Sequence, residues 1–361
     1  MQRVREALAA TGVDALALSV GADLPWLTGY TAMPLERLTL LVVTQQARPA
    51  LIVPRLEAPR VTEWGHFDLV AWGESQDPIA LAADALKGCA TVAVGDRMWA
   101  RFVLDLQTAA PSRRWVNAST VTGPLRAVKD EHEIAMLAAA GAAVDEIAGS
   151  LQSGEIALCG RTEAEVSSEL SQRIIAAGHH STNFAIVAAG ENAASPHHEP
   201  SQRTIGENEV VLCDFGGTML DEWGVGYCSD ITRCVWTGEV PAEAAEVYAV
   251  LQQAQAAGVA AGRPGVAAQE VDRACRQIIE AAGYGDYFIH RTGHGIGVEE
   301  HEDPYMVEGN SEMILAGHAY SVEPGIYLPD RYGFRLEDIV VATSSGPLPL
   351  NSADHRLVSV G

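Results

Sequence analysis

The chain has 361 residues, 48% of them hydrophobic, enough for about two domains with real cores, which excludes a disordered polymer. Its formal charge of -23, from 24 basic against 47 acidic residues, excludes a phosphate-neutralising nucleic-acid surface. The two lysines, Lys87 and Lys129, neither follow a glycine nor precede Ser or Thr, so there is no P-loop.

At the N-terminus, Arg3, Arg5 and Glu6 fall in an amphipathic helical pattern instead of the uninterrupted apolar stretch of a secretory signal. Residues 13–20 read as a buried strand, 38–43 and 49–53 as a hairpin, 90–94 as another strand and 99–109 as a helix. These make a small α/β domain, residues 1–122, whose few histidines and unclustered carboxylates suit a structural or dimerising role. The turn-makers Gly123-Pro124 mark a boundary, and a second domain takes residues 123–361. There, helical patterns cover 131–151 and 162–177, the second opened by a capping box of Thr162 and Glu165. Strands at 184–188, 210–214 and 231–236 precede helices at 241–261 and 266–282, and the chain then returns to strands. No apolar run approaches the roughly 18 residues of a membrane span, so a soluble protein without a membrane partner is expected. The six cysteines, Cys89, Cys159, Cys213, Cys228, Cys234 and Cys275, form no C-x-x-C pair. Neither a disulfide framework nor a cysteine zinc site is expected, and a reducing cytoplasm fits.

Common catalytic signatures are missing. There is no G-x-S-x-G, His132-Glu133 and His301-Glu302 lack the second histidine of H-E-x-x-H, and residues 293–297 lack the strand-turn-helix setting of a dinucleotide loop. What stands out is a run of histidines between 179 and 301 followed or interleaved by four carboxylates in apolar, strand-like sequence: Asp214, Asp230, Glu323 and Glu337. A carboxylate facing a core is costly unless paired or metal-bound. Any one of them alone reads as a strand-end or turn residue; with His294 in its glycine-flanked loop, the five together suggest a metal centre. Such oxygen-rich ligands suit Mn²⁺, Co²⁺ or Fe²⁺ at least as well as Zn²⁺. Gathered in one pocket, four carboxylates repel, and two divalent cations cancel their charge.

The segments Asp214-Phe-Gly, Gly226-Tyr-Cys-Ser-Asp230-Ile-Thr-Arg233, His290-Arg-Thr-Gly-His294-Gly-Ile-Gly297, Glu323-Pro-Gly-Ile-Tyr327 and Arg335-Leu-Glu337-Asp carry a resemblance in both order and spacing. They resemble the pita-bread metallopeptidases, the family of prolidase, aminopeptidase P, methionine aminopeptidase and creatinase. The likeness covers essentially all of 125–361, and 1–120 resembles the creatinase-type N-terminal domain more weakly. It implies an α+β protein, a small α/β creatinase-type domain followed by a pita-bread catalytic domain, assembled as a homodimer. It also implies two divalent cations per chain, Mn²⁺ first with Co²⁺ or Zn²⁺ as alternatives, held by Asp214, Asp230, His294, Glu323 and Glu337.

The resemblance further implies hydrolysis of the bond before proline, with Glu323 shuttling the proton, His301 meeting the substrate carbonyl and His197 steadying the substrate. His290 and Tyr327 would belong to the substrate-binding wall. By strand periodicity Arg335 shares a face with Glu337 and would orient that carboxylate network. Cys213 alternates with Asp214 and would point away from the metals, whereas Cys228 shares the face of Asp230. His179, His180 and His198 read as surface or helix-end residues. The family spaces its two aspartates by roughly eleven residues; here the hairpin loop between Asp214 and Asp230 is longer, Asp221 in it competes as first ligand, and Trp223 either borders the pocket or covers a dimer contact. Some prolidases place an arginine shortly before Glu-Pro-Gly for a dipeptide's carboxylate, but residues 302–322 contain neither Arg nor Lys. That leaves His197, Arg291 or the other subunit to hold it. An Xaa-Pro dipeptidase is expected ahead of an Xaa-Pro aminopeptidase acting on longer peptides, or a hydrolase of another small amide.

Overall fold

The computed structural model describes residues 1–361, which divide into two compact units: Met1–Arg126 with Asp221–Gly226, and Ala127–Leu220 with Tyr227–Gly361. The first unit comprises α1 (Gln2–Thr11), β1 (Ala15–Leu18), α2 (Asp23–Thr28), β2 (Leu40–Thr44), β3 (Ala50–Pro54), β4 (Asp68–Trp72), α3 (Pro78–Ala85), β5 (Thr91–Val94), α4 (Ala100–Ala109), β6 (Arg114–Asn117) and α5 (Ser119–Ala127). Its six strands form one mixed sheet in the order β4-β3-β2-β1-β5-β6. Strand alternation sends Leu16, Leu41, Val43 and Leu51 to one core, closed by Val4 and Leu8 of α1. Ala15, Ala17, Leu40 and Val42 go to the opposite core, closed by Ala82 of α3 and Phe102 and Leu106 of α4. Burial on both faces explains why these strands read as continuous apolar runs.

Sequence periodicity passes over α2, α3, β4 and β6. The edge strands β4 and β6 are only partly buried, and β6, Arg-Trp-Val-Asn, carries no apolar run. A signal for α3 is present in Asp77-Pro78: the Asp77 side chain accepts from Ile79 N at 2.9 Å and proline occupies the first turn. Gly123-Pro124, expected as a turn, lies inside α5. Thr122 and Arg126 each donate to Asp23 at 2.9 Å and Val121 is buried, so tertiary anchoring overrides the local signal.

The second unit contains α6 (Glu131–Gln152), α7 (Glu163–Ala176), β7 (Ser181–Ala189), β8 (Val210–Leu220), β9 (Gly226–Cys228), β10 (Ile231–Thr237), α8 (Ala242–Ala261), α9 (Gln269–Ala281), β11 (Gly293–Gly295), β12 (Glu302–Met306), β13 (Ala319–Val322), β14 (Gly325–Leu328), β15 (Tyr332–Arg335), β16 (Asp338–Thr343), β17 (Gly346–Pro349) and β18 (Val358–Val360). Reciprocal capping boxes open both α6 (Asp130, Glu133) and α7 (Thr162, Glu165). One sheet runs β18-β10-β8-β7, with β9 paired to β8; a second runs β12-β11-β13-β16-β17; β14 and β15 form a ribbon.

Alternation along β8 and β10 decides what faces the site. Val211, Cys213, Phe215, Ile231 and Val235 pack in a core with α6 and α7. Val210, Leu212, Cys234 and Trp236 point the other way, into a core with α8 and α9. Asp214 therefore takes the face opposite Cys213, as its position in the sequence predicts. Contrary to the expectation drawn from apolar runs, α6 is long and apolar enough in composition to cross a bilayer. Its alanine-rich sequence raises the hydropathy, while Leu137, Val144, Ile147 and Leu151 are buried within the unit and Asp130–Glu133 cap its start.

Candidate active site

A cavity of about 540 Å³ in the second unit is lined by all five expected ligands, Asp214, Asp230, His294, Glu323 and Glu337, together with His197, His290, His301 and Arg335. Each ligand comes from a different strand or strand end, so the sheet topology assembles them. Asp214 lies mid-β8, opposite Ile186 of β7 and Thr232 of β10. His294 lies in β11, where a Cβ on the preceding Gly293 would collide with the Ser321 carbonyl; glycine there lets β11 and β13 close up. Glu323 follows β13 and Glu337 lies between β15 and β16.

Ligand atoms of Asp230, His294 and Glu337 lie within 4.8 Å of one another. The Nε2 of His294 is 3.2 Å from Glu323 Oε1 and 3.9 Å from Asp230 Oδ2. Its Nδ1 donates to the Gly295 carbonyl at 3.0 Å, so Nε2 is the ring nitrogen turned to the carboxylates of Asp230 and Glu323. Ser321 Oγ accepts from His294 N and donates to Glu323 Oε1, both at 3.0 Å. Thr232 Oγ1 donates to Glu337 Oε2 at 2.7 Å.

Three carboxylates each keep one buried oxygen without a hydrogen-bond partner: Asp214 Oδ1, Asp230 Oδ1 and Glu337 Oε1. Burial, then repulsion from Glu337, Asp214 and Glu323, pushes Asp230 well above its ordinary range. Burial, then Glu323 and Asp214, does the same to Glu337. Burial also opposes ionisation of Glu323, but the hydrogen bond and charge of His294 hold its carboxyl low. Buried anionic oxygens without partners are what a divalent cation satisfies, and the donor set of four carboxylates and one imidazole fits hard divalent ions.

Arg335 lies among the carboxylates of the cavity. Its Nη2 pairs with Asp214 Oδ2 at 2.5 Å, Nη1 donates to Tyr327 OH at 2.9 Å and to Pro196 O at 3.2 Å, and Nε donates to Thr232 Oγ1 at 3.2 Å. Thr232 in turn donates to the Glu337 carboxylate, so the hydrogen-bond path from Arg335 to Glu337 runs through its hydroxyl. β15 ends at Arg335 and β16 begins at Asp338, so no single strand carries both residues, yet both line the cavity.

Tyr327 is 2% exposed and absent from the cavity lining. It sits behind the wall, its hydroxyl 2.9 Å from His290 Nε2 as well as from Arg335. His290 Nδ1 donates to Arg291 O at 2.7 Å, and burial lowers the imidazole's pKa.

Asp221 accepts from Trp223 N at 2.9 Å and Val225 N at 2.8 Å, capping the 221–226 loop of the first unit; neither it nor Trp223 lines the cavity. His179, just past the end of α7, is buried with Nε2 at 2.9 Å from Ser229 Oγ. His198 bonds the buried Glu163 at 2.8 Å. Cys228 is buried beside Asn183 and Thr218.

Sequence reading missed Thr232, Ser321, Glu300 and the apolar wall of Phe184 and Ile186. Hydroxyls on strands have no signature of their own, although Thr232 could be found from its two-residue spacing to Asp230. Arg291 lines the cavity, its guanidinium 4.3 Å from the centre of the Tyr305 ring.

Residues 132–344 match the model of metallopeptidase family M24, and residues 1–128 that of the creatinase/prolidase N-terminal domain. The chain is 41% identical to a probable dipeptidase PepE of Mycobacterium tuberculosis, covering 99% of this chain and 96% of that protein. It is 36% identical to an Xaa-Pro dipeptidase of Lactobacillus helveticus, with 99% and 98% covered. The crystal structure of dipeptidase PepE from Mycobacterium ulcerans superimposes with a TM-score of 0.91 at 40% identity, covering 99% of this chain and 96% of that one. With the family model spanning more than half its length, a creatinase-type domain before it and a cavity that suits divalent cations, the chain belongs to metallopeptidase family M24.

Proposed function

We propose that this protein hydrolyses Xaa-Pro dipeptides with two divalent cations, Mn²⁺ ahead of Co²⁺ or Zn²⁺, held by Asp214, Asp230, His294, Glu323 and Glu337. The observation that carries the reading is the set of three partnerless carboxylate oxygens buried beside His294. The names of the mycobacterial and lactobacillar relatives support the dipeptide substrate. When bound, such cations supply Lewis acidity and lower the pKa of water at the site.

The chain's own groups do the rest. Glu323, ionised beside His294, takes a proton from the attacking water and returns it to the proline nitrogen, which must leave as a secondary amine. His301 is pushed down to about 4 by desolvation and by the neighbouring His294, so at neutral pH it offers an uncharged N–H to the carbonyl oxygen. His197 steadies the substrate from the facing wall. Arg335 holds Asp214 in place and, through Tyr327, the His290 ring. Proline lacks an amide hydrogen, so its ring must be read by shape, and Phe184, Ile186 and Pro196 provide apolar wall for that.

The dipeptide's free carboxylate is assigned to Arg291, a guanidinium in the cavity wall stacked on Tyr305. A homodimer is supported by the partly exposed apolar side chains Met33, Leu35 and Leu56 around one depression of the first unit, and a cytoplasmic setting by six free thiols. The test is kcat/KM for Ala-Pro against Ala-Pro-Ala. Preference for the dipeptide is expected, and Arg291→Met should narrow it by raising KM for Ala-Pro alone. A tenfold preference for the tripeptide, about 1.4 kcal/mol in the other direction, makes the protein an Xaa-Pro aminopeptidase instead.

A further inference from the structure

Glu163 is fully buried, yet the helix it begins does not need its carboxylate. Helix α7 is already capped by the reciprocal Thr162–Glu165 box. The Glu163 side chain reaches away from the helix to the segment between β7 and β8. Its Oε1 accepts from Ala189 N at 2.8 Å and Asn192 Nδ2 at 3.0 Å. Its Oε2 accepts from His198 Nε2 at 2.8 Å, Ser201 N at 3.0 Å and Ser201 Oγ at 2.6 Å. Five donors from residues 189–201 therefore converge on one carboxylate, and although burial opposes its ionisation they hold it down at about 2. Backbone bonds from Glu163 N to Arg203 O and from Ala164 N to Ser201 O fasten the far end of the same segment. Within it, Pro196 and His197 line the cavity, and Arg335 fixes the Pro196 carbonyl from the opposite side.

We propose that Glu163 is a positioning residue, whose buried carboxylate ties the 189–201 segment so that His197 is presented to the substrate. This rests on the reading of His197 as a substrate-contacting group. A carboxylate accepting five bonds cannot be replaced by an amide, which turns one oxygen into a donor and meets donors with donors. The segment would then be free to move while the ligands of β8, β10, β11 and β13 keep their places.

The experiment is a double-mutant cycle on Ala-Pro hydrolysis with the Mn²⁺-loaded full chain, using Glu163→Gln, His197→Ala and the pair, alongside hydrogen exchange of residues 189–201. Glu163→Gln is expected to lower kcat ten- to hundredfold with KM changed less than threefold, to retain wild-type Mn²⁺ content and to speed exchange across 189–201. In the His197→Ala background it should lower kcat no further. Equal losses in both backgrounds, or wild-type kcat in Glu163→Gln, overturn the proposal. Wild-type kcat in His197→Ala overturns the parent reading of that histidine, and the proposal with it, which an impaired His197→Ala with additive losses does not. Should Glu163→Gln not fold, Asn192→Ala removes a single donor, and its smaller loss must likewise vanish without His197.

Discussion

At Asp230 and Glu337, burial and repulsion from neighbouring carboxylates make both carboxyls reluctant to ionise. A carboxyl whose pKa is raised by folding keeps its proton in the fold above the pH at which the unfolded chain has lost it. Without cations, the fold therefore loses stability as pH rises from about 4 through that raised pKa, and cations that replace the protons restore it. Mn²⁺ added to chelator-treated protein should raise Tm more at pH 8 than at pH 5.5; an equal shift at both contradicts the protonated state. Glu337→Gln replaces an anionic ligand with a neutral amide and is expected to bind fewer than two ions per chain by elemental analysis, with turnover lost. Two ions with normal turnover would remove Glu337 from the centre.

At this scale the sequence was informative where chemistry is conspicuous. Four carboxylates in apolar, strand-like sequence and a histidine between glycines all line one cavity. Thr232 and Ser321, which orient Glu337 and Glu323, passed unnoticed because a strand hydroxyl is ordinary until its partner is known.

Among the elements, the loop from β11 to β12 brings His301 to the cavity and is anchored by one of the two lysines. Lys129 Nζ donates to Glu302 Oε2 at 3.2 Å with both side chains almost fully buried, and Glu302 Oε1 accepts from Glu299 N at 2.9 Å. Removing one partner of such a pair leaves a buried charge, whereas neutralising both does not. Lys129→Met should therefore cost about 3–5 kcal/mol in denaturant unfolding, and adding Glu302→Gln should recover part of it. A double variant no more stable than the single would place the stabilisation elsewhere. Long elements with caps were legible, as the Thr162–Glu165 box shows. A short half-buried strand such as β6 was not, since its pairing partner and not its own pattern makes it a strand.

For the whole molecule, the division into an N-terminal α/β unit and a larger catalytic unit was visible in the order of elements. The destination of the long hairpin loop was not. Its tip, Asp221–Gly226, belongs to the first unit, where a Cβ on Gly29 would strike the Trp223 carbonyl. Such an attachment is a tertiary fact that neither loop length nor composition encodes. Light scattering should give about twice the 38.3 kDa of one chain, and a monomeric mass at assay concentration contradicts the homodimer.

In the proposed function, Asp214, Asp230, His294, Glu323 and Glu337 work by holding divalent cations for cleavage before proline. Release of proline from Ala-Pro, followed before chelation, after chelation and after addition of Mn²⁺, tests it most directly. Activity should vanish with the metal and return with Mn²⁺, whereas full hydrolysis by protein shown to be metal-free would contradict the account.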